Sequence, residues 1–260
     1  MIQVKLKDGS VREYPEGITL LQVAEDISPK LAKKTAIALW DGRLTDLNTQ
    51  PTAGGELELL GLDDPRTLEV YRHSSSHVMA QAVKRLWPDT RLAIGPAIDK
   101  GFYYDFDSEY SFNPDDFAAI EEEMAKIIKE DYPFNRKELS REEALAFFQE
   151  AGENFKVELI RDLPEDAVIS LYRQGEFIDL CAGPHLPSTG MLKAYKLMSL
   201  AGAYWRGNEK NPMLQRIYAT SFPKKAALDD YLNKLEEAKK RDHRRLGREL
   251  GLFVLVDEGP

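Results

Sequence analysis

The chain is poor in the features that mark secreted or membrane-embedded proteins. Its 260 residues include one cysteine, so an internal disulfide is excluded and a reducing, cytoplasmic compartment is expected. No apolar run is long enough to predict a membrane span, and residues 1–7 alternate charged with apolar side chains, unlike a signal peptide. A content of 43% hydrophobic and 30% charged residues predicts a soluble, folded protein instead.

Positive charge is also in short supply, since the formal net charge at pH 7 is -9. This balance argues against a nucleic-acid partner, because neutralising phosphates requires lysine and arginine. The C-terminal part is the local exception, with basic residues at Lys239, Lys240, Arg241, Arg244, Arg245 and Arg248. Such a run is typical of a solvated helix face, on which His243 is expected to be exposed, and by itself it does not predict RNA binding.

The length predicts about two domains, of which residues 1–62 form the first. Alternating apolar residues before and after the Asp8-Gly9 turn predict a hairpin. The predicted elements are strands at residues 2–6, 11–14, 36–40 and 57–60, and a helix with Thr19 as its N-cap. This order predicts a small β-grasp, or ubiquitin-like, domain. It holds no cluster of catalytic residue types, so a binding or scaffolding role is expected.

Residues 63–224 are predicted to form a larger α+β domain with a mostly antiparallel sheet. The predicted elements are helices at residues 72–86 and 117–128, a helix behind the capping box of Ser140 and Glu143, and strands at residues 102–106, 156–160, 168–173 and 176–180. Residues 225–260 are predicted to be a C-terminal connecting helix, because they have too few apolar positions for a core of their own. An apolar run at residues 252–256 indicates that this helix leads toward a further domain.

Three of the four histidines and the only cysteine fall into two pairs with the same spacing. His73 and His77 lie one turn apart on a predicted helix and therefore share a face. Cys181 and His185 enclose a Gly-Pro pair at residues 183–184 that a helix interior does not tolerate, so this pair is predicted to lie on a rigid loop at a strand end. Together the pairs predict one shared site, either a metal site or a polar hydrolytic pocket.

Other polar residues are candidates for the same site. Because Ser74 follows the first histidine, where a zinc protease carries its glutamate, that class is disfavoured. Asp179 can orient a histidine or accept from a substrate amine, or else form a salt bridge at a strand end. Lys156 is predicted to begin a strand, where it is either solvated or desolvated and able to activate water. Tyr103 and Tyr104 must face opposite sides of their strand, so one is expected in the core and the other in a pocket wall.

Five motifs, in order along the chain, resemble the N-terminal half of bacterial-type threonyl-tRNA synthetases. They are RHSSSH at residues 72–77, GFYYDF at 101–106, DLCAGPH at 179–185, YWRG at 204–207 and MLQRIY at 213–218. The first module resembles the TGS domain of that family, and the second resembles its editing domain, which alanyl-tRNA synthetases share in part. The resemblance covers essentially the whole chain.

The resemblance implies a proofreading hydrolase that removes serine from mischarged seryl-tRNA(Thr), within an enzyme that couples threonine to tRNA with ATP. The catalytic residues it implies are His73 and Lys156, which position water and handle protons, and Asp179, which grips the substrate amine. The substrate-binding residues it implies are His77, Tyr104, Cys181 and His185.

The resemblance also carries expectations about cofactors and partners. The class II catalytic core of the family, with its ATP, Mg and Zn, is expected to lie outside this chain. The resemblance implies that editing itself needs no cofactor, with zinc at the His/Cys cluster as the alternative. The partner is tRNA(Thr) carrying serine, with no membrane. The full-length protein is expected to be a homodimer through that core, and this piece of it a monomer.

Two alternatives stay open from the sequence. The first is a zinc-dependent hydrolase of related aminoacyl esters, with His73, His77, Cys181 and His185 as ligands, because four such donors suit tetrahedral zinc and the alanyl-type relatives depend on a metal there. The threonyl-type site works without one, and the Asp and Lys beside the donors favour a metal-free pocket. The second is a non-catalytic tRNA-binding fragment.

Overall fold

The computed structural model describes residues 1–241 and divides into two units, Met1–Pro223 and Lys224–Pro260. In the second unit, the long helix predicted after Pro223 is present as Lys225–Lys240. The basic residues beyond Arg241, His243 and the apolar run at residues 252–256 lie outside the described residues. No helix in residues 1–241 combines the length and the apolarity that crossing a membrane requires.

The N-terminal module is a five-stranded sheet with a helix packed on it. Its elements are β1 (Ile2–Leu6), β2 (Val11–Tyr14), α1 (Leu20–Ile27), α2 (Pro29–Ala32), β3 (Thr35–Trp40), β4 (Arg43–Thr45) and β5 (Gly55–Gly61). The strand order is β2-β1-β5-β3-β4, with β1 antiparallel to β2 and parallel to β5. Thr19 and Gln22 form a capping box, and Leu20 and Val23 of α1 enter the core. The predicted β-grasp arrangement is confirmed.

The following region contains two antiparallel sheets and four helices. Its elements are α3 (Leu68–Leu86), β6 (Arg91–Leu92), β7 (Ala97–Ile98), β8 (Gly101–Asp107), α4 (Phe117–Glu130), β9 (Asn135–Leu139), α5 (Arg141–Glu150), α6 (Asn154–Asp162), β10 (Ile169–Gln174), β11 (Phe177–Leu180), β12 (Ala194–Tyr204) and β13 (Met213–Phe222), followed by α7 (Lys225–Lys240) in the second unit. One sheet has the order β12-β13-β8-β6 with β7 also paired to β8, and the other has the order β11-β10-β9. The predicted α+β class with mostly antiparallel strands is confirmed.

The two modules share one apolar core. Ala36 and Ile37 of β3 and Leu60 of β5 belong to the same buried cluster as Tyr71 and Val78 of α3. The two modules therefore pack directly against each other through apolar side chains. Domain limits at residues 62 and 224 stay a prediction.

One element predicted from the sequence is wrong. The sequence predicts a strand at residues 156–160, but these residues belong to α6. Apolar and charged residues alternate here, which imitates a strand, yet the apolar side chains pack in helical pairs. Val157 and Ile160 face the cluster formed with α5, whereas Phe155 and Leu159 pack around Trp205. As a result, Lys156 lies in the first turn of a helix and its side chain is buried.

The two longest strands were not predicted. In β12 a bulge between Leu197 and Ser199 shifts the register against β13 and interrupts the alternation of buried and exposed residues. β13 then pairs along its other edge with β8, which places Ile217 opposite Tyr104. The helix α3 also begins at Leu68, before the predicted start at residue 72.

Candidate functional site

The structure brings the two histidine-containing pairs together. His73 and His77 project from α3, and Cys181 and His185 lie on the loop that follows β11. One donor atom from each of the four residues lies within 4.8 Å of all the others. Cys181 Sγ is at the centre, 3.0 Å from His73 Nε2 and 3.3 Å from His185 Nε2.

A glycine shapes the loop that carries Cys181. Gly183 has φ of +75° and precedes Pro184 through a cis peptide bond. A Cβ at this position would lie 2.0 Å from the Tyr172 hydroxyl oxygen, so only glycine fits at this position of the loop. The Gly183 backbone N–H donates to Cys181 Sγ over 3.2 Å. The tight turn therefore fixes the sulfur as well as the backbone.

His185 is held on both sides of its ring. Its Nδ1 lies 3.1 Å from Ser74 Oγ, and Ser74 Oγ accepts from the Leu186 backbone N–H over 3.0 Å. The ring stacks on Phe134 with an interplanar angle of 5° and a centroid distance of 4.8 Å. With the Ser74 hydroxyl donating to Nδ1, the imidazole carries its proton on Nε2, which points at the Cys181 sulfur.

Burial keeps this cluster uncharged at neutral pH. It lowers the pKa of His73 to about 4, and it lowers the pKa values of His77 and His185 well below the ordinary histidine value. It also raises the pKa of the Cys181 thiol to about 12. A neutral thiol accepts from the N–H groups of Gly183 and His185 and donates to Nε2 of His73. Each of the three contacts of the sulfur then has one proton, from the Gly183 N–H, from His185 Nε2 or from the thiol itself.

A second group of three polar side chains is buried beside the first. Lys156 Nζ lies 2.5 Å from Asp179 Oδ1 and donates to the Tyr104 hydroxyl over 3.1 Å. The Tyr104 hydroxyl donates to Asp179 Oδ2 over 2.5 Å, and burial raises its pKa well above the ordinary tyrosine value. His77 Nε2 lies 3.8 Å from Asp179 Oδ2, so the two groups are neighbours in the same site. The site therefore combines a neutral nitrogen–sulfur cluster with a closed ion-pair network.

The two adjacent tyrosines of β8 lie in different surroundings, as expected for neighbours on a strand. Tyr104 is fully buried in the site. The Tyr103 ring lies 3.8 Å from the Arg216 guanidinium carbon, and Arg216 in turn pairs with Asp105. The Tyr103 ring also packs edge-on against Tyr218.

The site opens to solvent at His73 and Cys181. A cavity of about 230 Å³ adjoins this opening, lined by Leu44, Glu69, Val70, His73, Pro96, Ala97, Gly183 and Pro184. The deeper members of the site, among them Lys156, Asp179 and His185, are at most 2% exposed. A larger cavity of about 420 Å³ lies elsewhere, against the C-terminal half of α3 and α5, and contains none of the site residues. Of these two cavities, only the smaller one reaches the site, at His73 and at Gly183 of the Cys181 loop.

Asp46 is a member of the site that has no signal in the sequence. It follows β4 in the N-terminal module, in which no cluster of catalytic residue types occurs. Its Oδ1 accepts from the His185 backbone N–H over 2.8 Å, and its Oδ2 accepts from the Tyr172 hydroxyl over 2.5 Å. Only the folded arrangement of the two modules brings this carboxylate to the loop.

The donor types of His73, His77, Cys181 and His185 match those of tetrahedral zinc sites. Their spacing is compact enough for one ion to reach all four. Binding an ion would require the Cys181 thiol to lose its proton, because the thiolate is the ligand. These four residues could hold a metal.

Two family models match the chain. Residues 2–60 match the model described as "TGS domain", and residues 169–218 match the model described as "Threonyl and Alanyl tRNA synthetase second additional domain". The first match falls on the β-grasp module. The second runs from β10 through the loop of Cys181 and His185 to β13.

Curated relatives match along the whole chain. The Threonine–tRNA ligase of Syntrophomonas wolfei is 76% identical over 260 residues, that of Desulforamulus reducens 62%, and that of Carboxydothermus hydrogenoformans 61%. Each alignment covers 100% of this chain and 41% of the relative, so the chain spans about two-fifths of the length of these proteins.

The fold and the matches define a region of an aminoacyl-tRNA synthetase in which a TGS domain precedes the second additional domain of the threonyl and alanyl enzymes. More specifically, the chain corresponds to the N-terminal part of a threonine–tRNA ligase, with its TGS and editing domains. The family resemblance predicted from the sequence motifs is confirmed.

Proposed function

We propose that this chain is the proofreading part of a threonine–tRNA ligase and hydrolyses the ester of seryl-tRNA(Thr). The observation that carries the proposal is the convergence of His73 and Cys181 with the buried pair of Lys156 and Asp179 at one site. The whole protein is proposed to attach threonine to tRNA with ATP in a core beyond this chain. The tRNA partner, the cytoplasmic location and a dimer of the longer protein are part of the same proposal.

Such an activity is needed because a binding pocket can distinguish threonine from serine only weakly. Serine lacks one methyl group of threonine, and a missing methyl or methylene is worth only about 1–3 kcal/mol of discrimination in a binding pocket. A synthetic site built for threonine therefore also accepts serine. A second pocket that admits the seryl ester and excludes the extra methyl removes the error.

Hydrolysis requires water to attack the carbonyl carbon and the ribose oxygen to leave with a proton. His73 is the residue best placed for this proton transfer, because it is neutral and its ring lies at the open side of the site. Once the Cys181 thiol releases His73 Nε2, that nitrogen takes a proton from the attacking water and returns one to the ribose oxygen. A donor must also meet the developing oxyanion, and Lys156 supplies the only ammonium among the site residues.

Recognition of the seryl amine is assigned to Asp179. Both oxygens of this carboxylate are engaged, Oδ1 by Lys156 and Oδ2 by Tyr104. Because each carboxylate oxygen has two lone pairs, the substrate ammonium can share Asp179 with these partners or displace one of them. Displacement of Lys156 frees its ammonium for water or for the oxyanion, so amine binding and catalysis become coupled. His77, Tyr104, Cys181 and His185 are assigned to binding the aminoacyl end.

We propose that this hydrolysis needs no metal. The supporting observation is that the Cys181 sulfur already has three hydrogen-bond contacts, to the Gly183 N–H, to His185 Nε2 and to His73 Nε2. Zinc at the same four residues is the competing proposal, favoured by the donor set. In that case the ion would supply Lewis-acid activation of water.

A deacylation assay with purified chain separates these possibilities. Seryl-tRNA(Thr) and threonyl-tRNA(Thr) are each incubated with the protein, with and without a strong chelator, and bound zinc is measured by elemental analysis. We expect hydrolysis of the seryl ester only, unaffected by the chelator. One zinc per chain with chelator-sensitive hydrolysis would favour the zinc enzyme. No hydrolysis above the uncatalysed rate, with tRNA binding intact, would leave a binding fragment.

A further inference from the structure

We propose that Asp46, in the N-terminal β-grasp module, is a positioning residue for the hydrolytic site. It holds the loop that carries Cys181 and His185 in register with His73 on α3. This inference rests on the proposed function. It adds that the N-terminal module contributes a residue that positions the hydrolytic site.

The contacts of Asp46 use both carboxylate oxygens and two donors from different elements. Oδ1 accepts from the His185 backbone N–H over 2.8 Å, and Oδ2 accepts from the Tyr172 hydroxyl of β10 over 2.5 Å. A carboxylate is a strong acceptor for both donors. It ties the loop and the strand beneath it to the segment that follows β4.

Tyr172, which donates to Asp46, also packs directly against the loop. Its ring is fully buried and packs edge-on against the His185 ring at a centroid distance of 4.5 Å. Its hydroxyl occupies the space under Gly183, where any side chain would collide with it. Asp46 therefore holds the Tyr172 hydroxyl oxygen beneath Gly183, and the ring of the same tyrosine packs against the His185 imidazole.

The anchor is close to the reacting groups. The backbone N–H that Asp46 holds belongs to His185, whose Nε2 lies 3.3 Å from Cys181 Sγ, and that sulfur lies 3.0 Å from His73 Nε2. A displacement of about 1 Å in such an array typically costs about 100-fold in rate. Leu44, two residues before Asp46, also lines the mouth of the cleft. The β-grasp module thus supplies both an anchor and part of the entrance.

The test compares four forms of the full chain: wild type, Asp46→Ala, Asp46→Asn and Asp26→Ala. Asn retains one oxygen acceptor for His185, so it is the conservative variant. Asp26 is the matched control, because it lies in the same module, accepts from the Tyr14 hydroxyl over 2.8 Å and pairs with Arg12, away from the site. Deacylation of seryl-tRNA(Thr) is measured over a range of substrate concentrations, and folding is checked by thermal unfolding.

We expect Asp46→Ala to lower kcat by about 10- to 100-fold, with KM changed less than about threefold. Asp46→Asn should recover at least half of that loss in kcat on a logarithmic scale. Asp26→Ala should have the kcat and KM of wild type. A folded Asp46→Ala protein with wild-type kcat would overturn the inference. So would an equal loss of kcat in Asp26→Ala, which would indicate general weakening of the module.

A second readout does not depend on catalysis. Cys181 is the only cysteine in the chain, so its alkylation by iodoacetamide reports on the loop alone. We expect Asp46→Ala to alkylate at least about fivefold faster than wild type, because the loop opens more often. If wild type itself fails to hydrolyse seryl-tRNA(Thr), the proposed function falls, and the alkylation rates still decide the role of Asp46. Equal rates in wild type and Asp46→Ala would contradict it.

Discussion

Lys156 and Asp179 form an ion pair with 2.5 Å between Nζ and Oδ1, although both side chains are only 3% exposed. Charges taken out of water are costly unless each is paired and hydrogen-bonded. The Tyr104 hydroxyl bridges the two, because it accepts from Lys156 and donates to Asp179. Lys156, Asp179 and Tyr104 thus form a structural element as well as a set of candidate catalytic groups. Stability and activity must therefore be measured separately for variants of these residues.

The first prediction concerns this pair. Lys156→Met leaves the Asp179 carboxylate buried without its cation, so we expect a loss of about 3–5 kcal/mol in the free energy of unfolding. Lys156→Met combined with Asp179→Asn removes both charges and should be less destabilised than Lys156→Met alone. Urea unfolding of wild type, Lys156→Met, Asp179→Asn and the double variant gives the coupling energy. Equal stabilities for wild type and Lys156→Met would show that the pair is not closed in solution.

The second prediction concerns His73. His73→Ala should abolish deacylation of seryl-tRNA(Thr), with a loss of at least about 100-fold, because no other neutral imidazole lies at the open side of the site. The chain should stay folded, since the side chain is only partly buried. Glu69→Ala, one turn earlier on α3 and also lining the cleft, serves as the control. Normal activity in a folded His73→Ala protein would remove this residue from the mechanism.

The third prediction separates backbone strain from collision. Gly183 and Gly152 both have positive φ, of +75° and +72°, but only Gly183 has a neighbour where a Cβ would be placed. Gly152→Ala should cost about 1 kcal/mol through strain alone. Gly183→Ala should cost more, because the Tyr172 hydroxyl must move as well, and it should also lower deacylation. Chemical unfolding of both variants tests the difference, and similar losses would mean that the loop accommodates the methyl group.

The fourth prediction concerns the pH dependence of stability. Hydrogen bonds from Arg85 lower the pKa of Glu176 to about 2. A carboxyl with a lowered pKa adds stability that is complete above its unfolded value, near pH 4.5, and is lost as the pH falls toward 2. Because the Glu176 side chain is 56% exposed, we expect at most about 1 kcal/mol. Glu176→Gln should flatten this part of the stability curve relative to wild type, whereas parallel curves would argue against the assignment.

Local signals in the sequence were sufficient for much of the fold. The Thr19 N-cap and the helix spacing of His73 and His77 depend on neighbours in the chain, and both are present in the structure. The loop of Cys181 and His185 was also predictable, because glycine and proline exclude a helix there.

Features that depend on distant partners were not predictable. Alternating residues around Lys156 suggested a strand, whereas packing against α5 and Trp205 makes this segment a helix. Strand β12 lost its alternating pattern through a bulge. Asp46 reaches His185 across 139 residues of sequence, and no local pattern marks it. In each case the decisive contact is made in the tertiary structure.

The most direct test of the account is the ratio of deacylation rates for seryl-tRNA(Thr) and threonyl-tRNA(Thr), measured with purified wild-type chain in the presence of a chelator. The account predicts rapid loss of serine, retention of threonine and no effect of the chelator. Equal hydrolysis of both esters, or hydrolysis of neither, would contradict it.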